Sequence, residues 1–247
     1  NNLATTFPID KKPVDRLAVE YFRFNRPYGL CIDRGSRFTV IATSSYIDTC
    51  TGFFAYYLAL IGGFNYISRE FGSLAPVVSF YNLKGTPSVD GFKEYMEDIG
   101  RFTSRPGAWT LTSLVSSGGN EPEYDTQIHF GTGTPKGVEE IGDLINDKAR
   151  FQLFYDDVTS ILKSHEDIDC DLGRYHNTAM PGLYLRHLDR SQPGNDFVMR
   201  TAWSVMLWST RRLEVARLIA ETINRDILGT DGNPDVPQLG VKDFGYQ

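Results

Sequence analysis

Cysteine is scarce in this chain: Cys31, Cys50 and Cys170 are the only three among 247 residues. An odd count cannot pair completely within one chain, so no disulfide framework is expected, and three thiols suit a reducing compartment better than an oxidising one. Histidine is equally sparse, with four residues and none in a short zinc motif. Excess positive charge is missing. With 25 Lys and Arg against 31 Asp and Glu, the formal charge is −6, which argues against bulk coating of nucleic acid and leaves room only for a local basic patch. Long apolar runs are missing too. The stretch Phe53 to Ile61 ends at Gly62 and Gly63, well short of the roughly 20 residues that a membrane span needs. No basic-plus-apolar leader opens the chain, and Asn1 in place of a methionine reads as a processed product or an ordered part of something longer.

What is present is aromatic and helical. Sixteen Phe, 13 Tyr and 3 Trp within 41% hydrophobic content are too many sticky side chains for a disordered chain. No long low-complexity linker and no solenoid-length repeat appears. The expectation is therefore one α+β domain over residues 1–247, a mixed sheet packed against several helices, with a β-sandwich carrying helical insertions as the alternative. Extended arms are expected at 1–9 and 233–247, and a subdomain boundary near Gly131.

The longest helical signal runs from Phe197 to Leu228. From Leu213 onward, Leu213, Ala216, Ala220, Ile223 and Ile227 recur at three and four, and Gly229 stops the pattern. Upstream, Phe197 to Trp208 is apolar nearly all round, which predicts a buried segment with Trp203 and Met206 in the interior. Strands are predicted at Phe38–Ile41, Pro76–Tyr81, Trp109–Val115 and Gln127–Phe130. Helices are predicted from Asp10 to Phe22, from Phe53 to Ile61 and from Asp90 to a stop at Gly100. Thr134-Pro135 reads as the start of a further helix reaching Leu162, with threonine as cap and proline in the first turn. Asp147 and Arg150 read as an ion pair on that helix's surface.

Three patterns carry chemistry. In His129 to Gly137, the residues Gly131, Gly133 and Thr134 stand at the expected helix start, where backbone amides can hold a phosphate. The Gly-Lys-Ser/Thr ending of a nucleotide-binding loop is absent, and a structural cap explains Thr-Pro without a ligand. Asp167, Asp169 and Asp171 alternate through an acidic turn and offer hard oxygen ligands to a divalent cation. Leu172 stands where a calcium loop needs glycine, so a solvated acidic turn is the simpler reading. His187, with Asp189 two residues on, is a further metal-ligand candidate alongside His165 or His176. No nucleophile elbow or Cys-x-x-Cys pair is present.

Phe53 to Ile67 followed by Pro76 to Tyr81, together with Gln192 to Phe197, resembles the aromatic-Gly-Gly and late Gly-Asp-Asp-Phe segments of picorna-like virus coat subunits. The resemblance implies a β-sandwich that assembles into a shell, with the termini as interchain arms. On this basis the expected function is structural: a self-assembling subunit of the viral coat type found in a virion or in cytoplasm, with a homo-oligomer or larger assembly as partner. Val236, Leu239, Phe244 and Tyr246 in the tail, with Trp203 and Trp208, are the expected assembly residues. The alternative is a metal- or phosphate-dependent hydrolase or transferase using Asp167, Asp169, His187 and the Gly131/Gly133 loop.

Overall fold

β-branched and aromatic clusters form strands, and in the computed structural model of the chain eight of them join one mixed sheet. The structure describes residues 22–26, 28–42, 49–69, 92–116, 126–134, 138–173, 194–206 and 208–230. The strands are β1 (Phe22–Arg26), β2 (Gly29–Asp33), β3 (Phe38–Ala42), β4 (Asn65–Arg69), β5 (Trp109–Ser116), β6 (Ile128–Gly131), β7 (Cys170–Leu172) and β8 (Asn195–Ala202). Across the sheet they lie in the order β1-β2-β4-β3-β5-β8-β6-β7. The inner four, β4, β3, β5 and β8, are mutually parallel. β2 and β6 run against their neighbours β4 and β8, and β7 follows β6.

The helices are α1 (Thr49–Gly62), α2 (Phe92–Thr103), α3 (Lys148–Glu166), α4 (Trp203–Met206) and α5 (Ser209–Thr222), the last continued by a π-helical turn over Ile223–Leu228. Both faces of the sheet are packed, as a parallel centre requires. On one face, Phe54 and Leu58 of α1, Phe151 and Phe154 of α3, and Leu213 and Ile219 of α5 enclose Phe38, Leu111, Phe130 and Phe197. On the other, Tyr95, Ile99 and Phe102 of α2 cover Cys31, Ile41 and Ile67. The expected mixed sheet with several helices is what the chain forms, and the sandwich alternative is not.

The Phe197–Leu228 helix is corrected by this topology. Its first part is β8, which lies between β5 and β6; Phe197, Val198 and Met199 are apolar all round because both sheet faces are buried there, not because a helix is. Trp203 sits on the single turn α4 and is 41% exposed, whereas Met206 is fully buried. The stripe from Leu213 to Ile227 is buried as expected, and Gly229 ends it with φ of +65°.

The helix expected from Thr134 begins instead at Lys148. The Thr134 hydroxyl donates to the Val138 carbonyl and so does not cap free amides. Asp147 is the cap, accepting from the Arg150 amide at 3.1 Å while its carboxylate also pairs with the Arg150 guanidinium. The amides of Asn146 and Asp147 are in turn bound by Asn195 Oδ1, which fixes the helix start against β8. Gly100 does not stop α2, which continues to Thr103. The amino helix before Phe22, the strand expected at 76–81, both arms with Val236, Leu239, Phe244 and Tyr246, and His187 lie outside the described residues.

Candidate functional site

The carboxyl ends of β3, β5 and β8 meet one edge of the sheet, and β6 and β7 start from that same edge. From β3 the chain turns through α1 to β4, while from β5 it turns the opposite way to β6. Open sheets bind ligands outside the carboxyl ends where connections diverge in this manner. Two hydroxyls close to that edge, Ser113 Oγ on β5 and Thr201 Oγ1 on β8, are fully buried and make no hydrogen bond among the described residues.

On the opposite face, side-chain alternation aligns three polar residues on three adjacent strands: Arg200 of β8, His129 of β6 and Asp171 of β7. His129 is 2% exposed and lies between the core residues Ile128 and Phe130. Its Nδ1 is 2.8 Å from Asp171 Oδ1, close enough for an ion contact but not aligned as a hydrogen bond. The aligned partner of Nδ1 is Thr126 Oγ1 at 3.1 Å, and that hydroxyl donates to Asp171 Oδ2 at 2.6 Å. A hydroxyl has one proton, so with the Thr126 proton on the carboxylate, Nδ1 supplies its own to Thr126. The arrangement therefore assigns the Nδ1–H tautomer.

Cys170, beside Asp171, faces the other way against α3. Burial pushes its thiol up to about 12, opposed by the nearby Thr159 hydroxyl and reinforced by the Asp171 and Asp169 charges. It is a protonated packing residue at neutral pH and no nucleophile.

The acidic triplet is divided. Asp167 and Asp169 both pair with Lys163, at 2.8 and 3.0 Å, while Asp171 turns inward to His129. Among the described residues no three His, Cys, Asp or Glu side chains come together as a metal site. Gly131 to Thr134 leave β6 at the far edge of the sheet, since Gly131 pairs with Val198 whereas Ile128 pairs with Thr201. That loop is closed on itself: Thr132 Oγ1 accepts from the Gly142 amide, and Gly133 packs against Leu144 with φ of +93°. Of the expected assembly residues, Trp203 and Trp208 are exposed, Trp208 at 69%.

No known protein family and no curated protein matches the chain by sequence. Among the solved structures that share its fold are two from bacteria. One is gene product Atu2144 from Agrobacterium tumefaciens, with TM-score 0.50 and 8% identity over 78% of this chain and 90% of that one. The other is product-bound Csd4, a cell shape determinant protein from Helicobacter pylori, with TM-score 0.51 and 14% identity over 84% of this chain and 55% of that one. Identities this low carry the fold alone. Both are bacterial proteins, and the shared scaffold is a sheet flanked by helices, so the resemblance to picorna-like coat subunits is overturned, and with it the capsid, virion and self-assembly reading. No helix among the described residues is long and apolar enough to cross a membrane.

His129, Arg200, Ser113 and Thr201 were not among the residues the sequence pointed to. A signal for two of them was there: a histidine flanked by Ile128 and Phe130, and an arginine following the apolar Phe197–Met199, are charge-bearing residues inside runs too apolar to be surface strands.

Proposed function

We propose that this chain is a hydrolase or transferase in which His129 takes and returns a proton at the carboxyl edge of the sheet. The observation that carries this is the relay from the buried His129 through Thr126 to Asp171. Asp171 Oδ1, 2.8 Å from Nδ1, sets a carboxylate beside the imidazole at the inner end of this relay. In hydrolysis, Nε2 accepts a proton from water as its oxygen attacks an acyl or phosphoryl centre. The same proton then passes from Nε2 to the leaving group as its bond breaks, and the ring returns to neutral. In transfer, an acceptor hydroxyl replaces the water. General acid–base catalysis of this type contributes about 10²- to 10⁴-fold. The fold shared with Csd4, whose structure is described as product bound, is in keeping with chemistry on this scaffold.

The test is turnover of ester, amide and phosphoester substrates, each with and without a divalent cation, the cofactor class that the acidic residues suggest. His129→Gln is expected to lower kcat by about 10²- to 10⁴-fold with KM and melting temperature nearly unchanged. Full activity in that variant, or no turnover of any of the three classes by the native chain, would sink the reading.

A further inference from the structure

We infer that Arg200 seats an oxyanion of the substrate, a phosphate or carboxylate group, beside His129; this rests on the acid–base reading of the same site. Arg200 lies directly opposite His129 in the antiparallel β6–β8 pair, which sets their Cβ atoms about 5 Å apart on one face. Its side chain is half-buried and its Nε is wholly buried, yet among the described residues it makes no hydrogen bond and no ion pair. A guanidinium carries five donors in a planar fork suited to carboxylate or phosphate oxygens, and a desolvated one without an anion is costly to keep. Asp171 does not answer that need. It lies two strands away, about 10 Å across the sheet, and is held by Thr126 and His129.

The other neighbours define the rest of the group to be bound. Leu114 is opposite Arg200 on β5, and with Val198 it forms a small apolar cluster apart from the two main cores. Cation, apolar wall and imidazole in a row fit a small substrate with an oxyanion, a short apolar part and the reacting centre near Nε2.

The experiment titrates the native chain with inorganic phosphate and, separately, with acetate, against chloride at matched ionic strength, by calorimetry and thermal unfolding. Saturable binding of at least one oxyanion in about the millimolar range is expected, weakened at least about tenfold in Arg200→Met and less in Arg200→Lys. In anion-free buffer, Arg200→Met should melt no lower than the native protein, because it removes a cation that has no partner among the described residues. Phosphate alone binding assigns a phosphoryl substrate and acetate alone a carboxylate. The inference fails if neither oxyanion binds beyond chloride, if Arg200→Met binds as the native chain does, or if it melts well below it. Lost turnover in His129→Gln together with absent oxyanion binding would discard the seat and keep the acid–base reading. Lost binding in Arg200→Met with full turnover in His129→Gln would do the reverse.

Discussion

Arg105 Nη2 lies 2.7 Å from Asp33 Oδ2 and ties the turn ahead of β5 to the end of β2. Burial alone would raise the Asp33 carboxyl, but the Arg105 hydrogen bond, the Gly35 amide and the charges of Arg105 and Arg101 outweigh it and hold it below its ordinary value. A depressed carboxylate contributes stability above its unfolded value and loses it as pH falls through its folded value. Asp33→Asn is expected to cost about 1–2 kcal/mol at pH 7 and less at about pH 2, well below the ordinary carboxylate value, as the depressed Asp33 carboxylate takes up its proton. Urea unfolding of both proteins at the two pH values measures this, and an equal loss at both would contradict it.

Met206 and Trp203 should reverse the order that residue size suggests. Met206 is fully buried, so Met206→Ala leaves a cavity and is expected to cost about 2–5 kcal/mol. Trp203→Ala, at a side chain 41% exposed, should cost about 1 kcal/mol or less. Denaturant midpoints at constant slope decide between them.

Gly173 follows β7 with φ of +73°, and a Cβ there would run into the Val138 carbonyl. Its own amide donates to Phe130 O at 2.9 Å, so the backbone cannot simply move away. Gly173→Ala is expected to cost more than about 2 kcal/mol, and Gly35→Ala, at an open position of similar φ, only about 1 kcal/mol. Comparable melting temperatures for the two variants would show that the β7 loop yields.

The Cys170 thiol, raised to about 12 chiefly by burial, should alkylate at pH 8 about 10³-fold more slowly in the folded chain than in urea. A raised value stabilises the fold below the unfolded thiol's value near 8.5 and ceases to as pH climbs toward 12. Peptide mapping after iodoacetamide treatment reads the residue directly. Labelling at the urea rate without denaturant would place the thiol in solvent.

Local chemistry made much of the fold legible, and what it hid was topological. Phe38–Ile41 and Trp109–Val115 announced β3 and β5 through β-branched and aromatic content, and the Leu213–Ile227 stripe announced α5 through its period. Phe197–Met199 misled because a strand buried on both faces loses the alternation that distinguishes it from a buried helix. At the candidate site, Asp171 was legible only as one of three acids. That it parts company with Asp167 and Asp169 follows from the pleat of β7 and from Lys163 one helix away, neither of which is visible in spacing. Arg200 and His129 are far apart in the chain and meet only because β8 adds between β5 and β6.

That late insertion has a consequence for how the protein is made. β5 and β6 are synthesised well before β8, the strand that separates them, so during translation each holds an unpaired edge that nothing earlier in the chain satisfies. Such long-range pairing gives a high contact order, slows folding and leaves adhesive edges exposed in the meantime. Nascent chains stalled before Asn195 should therefore be the ones that recruit chaperones and aggregate, and release of β8 from the ribosome becomes the step that commits the sheet to close.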